Sequence, residues 1–150
     1  MPFFANLIVD NLENSSKFYQ EVLGFQHIFT MPGPGSEPGL IHLRWMKYAD
    51  LLITKPVDGK SLVEPRGVGV ALNFQLFDHF GGDIHAFAEH VRRSGADITG
   101  PVEQPWNVYE VKVIDPDGYQ LIFTQPVNTE LHFDEMLERV VKKGDAGNPK

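Results

Sequence analysis

The sequence predicts an α+β fold built from two tandem strand–helix–strand–strand–strand units. These form curved mixed sheets with the helices outside, followed by a C-terminal helix. Three observations carry the prediction: the order of elements repeats, a β-rich hairpin closes the second unit, and a polar joint separates the halves. The joint is Lys55 to Gly67, a stretch broken by proline and glycine. A repeated order of elements constrains the fold more than any single motif.

In the first unit, Phe3 to Val9 is apolar and reads as a strand. Asn11 to Ser16 supplies N-cap residues ahead of a helix that carries Phe18, Val22 and Leu23 on one face. Gly24 stands where a C-cap glycine belongs. Phe25 to Met31 is extended. Pro32 to Gly39, with three prolines and three glycines, is expected to be a loop or mobile lid rather than regular structure. Leu40 to Met46 and Asp50 to Thr54 complete the unit.

The second unit begins with a strand over Gly69 to Phe77. A helix follows over Ile84 to Ser94, its buried face predicted as Ile84, Phe87, Ala88 and Val91, and Gly95 ends it. Relative to the first unit, His79-Phe80-Gly81-Gly82 is an insertion. Ala96 to Thr99 reads as a short strand. Val108 to Ile114 and Tyr119 to Thr124 are strands joined at Asp115-Pro116-Asp117-Gly118, where proline fixes φ and glycine supplies a positive φ. The repeat is visible residue by residue, with Phe4-Ala5-Asn6-Leu7 against Ala71-Leu72-Asn73-Phe74. Residues 1–126 thus read as one domain, with units at about 3–54 and 68–126. Residues 127–150 form a helical tail. In that tail Leu131, Phe133, Met136, Leu137, Val140 and Val141 make an apolar stripe that needs a covering surface, and Lys142 to Lys150 is expected to fray.

Composition narrows the function. A net charge of −7 speaks against nucleic acid or an anionic membrane as partner. The absence of cysteine excludes disulfides, thiolate metal sites and cysteine nucleophiles. No apolar run approaches the ~20 residues that cross a bilayer, and the N-terminus lacks signal-peptide order, so a cytoplasmic location is expected.

The hairpin also carries a resemblance. Gln104-Pro105-Trp106, a strand, Asp115-Pro116-Asp117-Gly118 and a closing strand resemble the last hairpin of the vicinal oxygen chelate superfamily. That group includes glyoxalase I, extradiol dioxygenases, fosfomycin-modifying enzymes and the bleomycin resistance proteins. Tyr19-Gln20-Glu21-Val22-Leu23-Gly24-Phe25 is similar to the end of its first helix, and the resemblance spans about residues 3–126. In metal-using members, one position on the first and last strand of each unit holds the ion. The resemblance places these at Phe4, Leu52, Ala71 and Ile122, none of which has a donor atom. It therefore implies no metal, no cofactor and no catalytic residue. It points to the metal-free, bleomycin resistance-like branch, which Glu103-Gln104-Pro105-Trp106 and Glu110 also resemble. That branch implies a homodimer that binds its ligand in clefts shared between subunits.

Strand alternation supplies candidate ligand-binding residues independently. One face collects Phe4, Asn6 and Ile8, then Ala71, Asn73 and Gln75, then Gln120, Ile122 and Thr124, with Glu110 and Lys112 beside them. The opposite set (Leu7, Val9, Leu72, Phe74, Leu76, Leu121, Phe123) is uniformly apolar and belongs under the helices. Trp106 is the leading stacking candidate, with Tyr109, Phe4 and Trp45 as companions. His42 is the one histidine expected to face the cavity, as a general base or a lone metal ligand. The expected function is metal-independent binding or sequestration of a small, partly aromatic or cationic molecule. The alternative is a glyoxalase- or dioxygenase-like metalloenzyme with atypical ligands such as His42 and Glu110. A dimer whose C-terminal helix docks a partner is a third reading.

Overall fold

The computed structural model describes residues 3–57 and 62–146. The first unit runs β1 (Phe4–Ile8), α1 (Leu12–Lys17), β2 (Gln26–Pro32), β3 (Pro38–Trp45) and β4 (Ala49–Thr54). The second runs β5 (Ala71–Gln75), α2 (Ile84–Arg93), β6 (Asp97–Gln104), β7 (Val108–Ile114) and β8 (Gln120–Pro126). The helix α3 (Phe133–Ala146) ends the described chain. Each unit makes one four-stranded mixed sheet. The strand orders, β1-β4-β3-β2 and β5-β8-β7-β6, are the same pattern twice. In both, the first strand lies parallel to the last and the other pairings are antiparallel.

Local chemistry sets the element boundaries. Asn11 caps α1 by accepting from Asn14 N–H, and α1 runs on into a π turn over Phe18–Val22. Gly24 then takes φ +87°, so the chain leaves the helix by a left-handed residue. Asp83 caps α2 through His85 and Ala86 N–H, and α2 buries Ile84, Phe87, Ala88 and Val91, the face its sequence predicts.

Several boundaries differ from expectation. The strand expected over Gly69 to Phe77 is only Ala71–Gln75, because Gly67 to Val70 is a turn closed by Val70 N–H on Gly67 O. The Pro32–Gly39 stretch is a hairpin end: pairing continues to Pro32 opposite Pro38, and only a 3-10 turn at Pro34–Ser36 separates the strands. Pro32 and Pro38 sit at strand ends, where a missing N–H costs least. The short strand expected at Ala96–Thr99 is β6, which reaches Gln104. Register shifts between Thr99 and Val102, then pairing resumes. Gly100 makes this bulge possible. Its φ is +100°, and a Cβ there would lie 2.5 Å from Glu110 O. Finally, α3 continues to Ala146 through Lys142 and Lys143, which are good helix formers, where fraying was expected. Residues 147–150, like residues 58–61 of the joint, lie outside the described residues.

One core serves both units. Leu7, Val9, Leu43, Ile53, Phe74, Leu76, Leu121 and Phe123 are buried together with the apolar faces of α1 and α2. Trp45 sits at the seam, 5.1 Å from the Phe25 ring, 5.2 Å from Phe123 and 4.2 Å from His79. Its indole Nε1 donates to Gln75 O at 2.9 Å.

A polar staple completes the join. Asp117 accepts from Asp10 N–H (2.8 Å), Ser15 Oγ (2.6 Å) and Arg66 Nη1 (2.6 Å). Arg66 also pairs with Asp10. Asp115 accepts from Tyr19 Oη at 2.7 Å and from the Asp117 and Tyr119 N–H groups. Burial pushes the Asp115 carboxyl above its ordinary range, against the lowering effect of those donors. The turn motif read from sequence is therefore also the clasp between units.

Candidate ligand-binding face

The sheet faces turned away from α1 and α2 are where strand alternation places the candidate site. Register fixes their contents. Across the first sheet, Arg44, Asp50 and Phe4 lie opposite one another on β3, β4 and β1. The next row is Phe29, His42, Leu52 and Asn6. Across the second, Asn73, Ile122 and Lys112 form one row over β5, β8 and β7, and Gln75, Thr124 and Glu110 the next; Ala71 and Gln120 lie in the row beyond. The structure thus brings Phe4, Asn6 and His42 onto one sheet face. It brings Asn73, Gln75, Glu110, Lys112 and Gln120 onto the corresponding face of the other.

The polar groups of the second face do not satisfy one another. Among the described residues, the side chains of Gln75, Glu110, Lys112 and Gln120 make no hydrogen bond or ion pair. Asn73 reaches only the backbone of its own strand, Ala71 O at 3.4 Å. Asn6 takes a long 3.3 Å bond from Thr54 Oγ1. These donors and acceptors remain open to a ligand or to solvent. A cavity of about 280 Å³ opens beside them, where the β3–β4 turn meets β5. Asn73 and Gln75 line it with Tyr48, Phe77 and the edge of Trp45.

Two stacking candidates are placed elsewhere. Tyr109 lies with Val111 and Val113 on the α2 side of β7, its ring 5.1 Å from His85. Odd and even residues of a strand point to opposite faces, and Glu110 and Lys112 already occupy the open one. Trp45 belongs to the Ile41–Leu43–Trp45 row, the buried face of β3, and is 2% exposed. Phe4 and Trp106 remain available at 48% and 47% exposed. Trp106 sits in the β6–β7 turn.

His42 is held in an arrangement the sequence reading missed. Its Nε2 lies 2.6 Å from Asp50 Oδ1, and the same oxygen accepts from Arg44 Nε at 2.7 Å. Burial alone would push the Asp50 carboxyl up; the hydrogen bonds from Arg44 and His42 overcome this and hold it below its ordinary range. His42 Nδ1 is sealed from solvent and unpartnered. With one nitrogen committed to Asp50 and the other enclosed, His42 presents no free, exposed ring nitrogen. The signal for this cluster was present: Arg44 stands two residues from His42, and Asp50 opens an otherwise apolar strand.

The positions that the resemblance assigns to metal ligands do not fit an ion. Phe4, Leu52, Ala71 and Ile122 offer no oxygen or nitrogen side-chain donor. No three His, Cys, Asp or Glu side chains converge among the described residues.

Two βαβββ units with this pairing, presenting an open face of mixed polar and apolar groups, define a class. The chain belongs to the Glyoxalase/Bleomycin resistance protein/Dioxygenase superfamily, whose family model matches residues 3–123. It is 32% identical over 135 residues to a lactoylglutathione lyase of Haemophilus influenzae, covering 83% of this chain and 91% of the relative. Solved structures share the fold at lower identity. TnmS3, an antibiotic binding protein from Streptomyces sp. CB03234, has a TM-score of 0.61 at 21% identity, covering 82% of this chain and 93% of that one. TioX from Micromonospora sp. ML1 has a TM-score of 0.63 at 17% identity, covering 82% and 96%. Among the described residues no helix is long and apolar enough to cross a membrane.

Proposed function

We propose that the protein binds a small, partly aromatic organic molecule on the open sheet faces, without a metal ion. The observation that carries this reading is the quartet Phe4, Leu52, Ala71 and Ile122. Those side chains make the superfamily's ion-binding positions apolar, while open amide and charged groups on the same faces remain for recognition. The likeness to an antibiotic binding protein supports sequestration as the role. A cationic ligand has less support than an aromatic one: on the first sheet the acid of this face, Asp50, is buried and already committed to two donors.

One observation favours a second reading. The Haemophilus influenzae relative is a lactoylglutathione lyase, and an enzyme of that kind here would need a metal held by other residues. His42 and Glu110 are poor substitutes: His42 has no free accessible nitrogen, and among the described residues no three His, Cys, Asp or Glu side chains converge.

A single titration separates the two. Chelator-stripped protein is titrated with a panel of aromatic ligands while tryptophan emission is followed. Saturable quenching is expected without added metal, and most of it is expected to disappear in Trp106→Ala, the exposed tryptophan; any remainder reports Trp45, which lines the cavity. Quenching or turnover that requires added nickel or zinc would move the lyase reading to the front.

The same proposal includes a homodimer. Leu131, just before α3, and Met136 and Val140 on it are half-buried, whereas Phe133, Leu137 and Val141 are exposed. So large an uncovered apolar stripe favours a covering subunit. Sedimentation at micromolar concentration is expected to give twice the 16.9 kDa chain mass. A monomer throughout that range would remove the shared cleft.

A further inference from the structure

An arginine frequently engages an aspartate two-pronged, through parallel N–H groups on both carboxylate oxygens. Arg44 does not. It meets Asp50 only through Nε, on the oxygen already bonded to His42. Among the described residues no acceptor lies on its Nη1 or Nη2. The Asp50 side chain is 2% exposed and that of His42 4%, whereas Arg44 is 32% exposed. Two enclosed groups thus fix the inner side of the guanidinium and leave its outer edge on the open face. The register places Phe4 in the same row and Phe29 one row away, on β2.

We propose that Arg44 is the anion-reading residue of this face: its Nη1–Nη2 edge receives a carboxylate carried by the bound aromatic molecule. The inference rests on the binding function proposed above and assigns the charge of its ligand. Two N–H groups on one guanidinium edge match the two oxygens of a carboxylate, and they cannot accept from an ammonium. Asp50 and His42 are positioning residues. They hold the Arg44 side chain at Nε, so its rotamer entropy is already spent before the ligand arrives. The ligand charge this favours is opposite to the one that the overall acidity of the chain suggests. Local donor geometry decides it, because net charge acts over the whole surface and a 2.7 Å contact acts at one point.

The test uses matched ligands that differ only in the polar group: 2-naphthoate, 2-naphthamide and 2-naphthylmethylamine, titrated calorimetrically into the full-length protein. The carboxylate is expected to bind at least about tenfold tighter than the amide, with the amine weakest. In Arg44→Gln the ratio of carboxylate to amide affinity is expected to fall to about one. Should Arg44→Gln fail to fold, as checked by circular dichroism, the comparison on the unaltered protein still decides the ligand's charge. Arg44→Lys, which keeps the charge but loses the two-pronged edge, then reports the geometry by losing most of the preference. Equal binding of all three ligands overturns the anion assignment and leaves the binding function standing. A carboxylate preference that survives Arg44→Gln but is lost in Lys112→Gln also overturns it. Failure of all three to bind overturns both.

Discussion

Replacing Asp117 with alanine is expected to destabilise the protein by roughly 3–5 kcal/mol, the range for breaking a buried ion pair by removing one partner. For a chain of this length that lowers the melting temperature by roughly 10–15 °C. The carboxylate receives three donors from three places: the backbone of Asp10 after β1, Ser15 on α1, and Arg66 in the joint. The Arg66 and Asp117 side chains are each 5% exposed, so neither is relieved by water when the other is lost. Removal strands a backbone N–H and a hydroxyl, and leaves Arg66 with Asp10 alone. Asp10→Ala provides the contrast. Its carboxylate is mostly exposed, its loss leaves the Asp117 pair intact, and a cost below about 1 kcal/mol is expected. Urea unfolding of the two variants measures the difference. If Asp117→Ala costs no more than Asp10→Ala, the clasp is not what joins the units.

That clasp shows where sequence reading stopped. Asp115-Pro116-Asp117-Gly118 was legible as a turn because turn chemistry is local: proline and glycine set φ within four residues. Its second role was not, since Ser15 lies 102 positions from Asp117 in the chain and Tyr19 lies 96 from Asp115. The fold was legible because periodicity repeats. A strand alternation that separates Leu7 from Asn6, or Phe74 from Asn73, needs only the period of two. The same period, applied consistently, separates Ile41, Leu43 and Trp45 from His42 and Arg44. It also separates Tyr109 from Glu110. Stacking chemistry groups both rings with the site, but parity assigns them to the helix-covered faces. The cluster around Asp50 was half legible. Parity gives Arg44 the same face as His42, but only the β3–β4 register, with Arg44 opposite Asp50, brings the three together. Register depends on turn geometry and tertiary packing, and no single strand encodes it.

Trp45 gives the second large effect. Truncation to alanine is expected to cost roughly 3–5 kcal/mol, as for other large buried aromatic side chains. The reason is its place between units. It leaves the first unit at the end of β3, and its ring meets Phe74 of β5, Phe87 of α2 and Phe123 of β8, centroids 6.0, 6.4 and 5.2 Å away. Offset and edge-on aromatic contacts of this kind contribute beyond the area they bury. The indole N–H adds a directional tie to Gln75 O, so Trp45→Phe should lose that bond, at about 1 kcal/mol, while retaining most of the packing. The two variants separate packing from hydrogen bonding by denaturant unfolding. They also reach the site. Gln75 and Asn73 line the cavity whose inner edge is Trp45, so a bond that holds Gln75 O also fixes where β5 presents those amides. Trp45→Phe is therefore expected to weaken ligand binding severalfold with the fold intact. Affinity unchanged in Trp45→Phe, alongside the expected loss of stability, would confine Trp45 to the core and leave β5 positioned by its pairing with β8 alone.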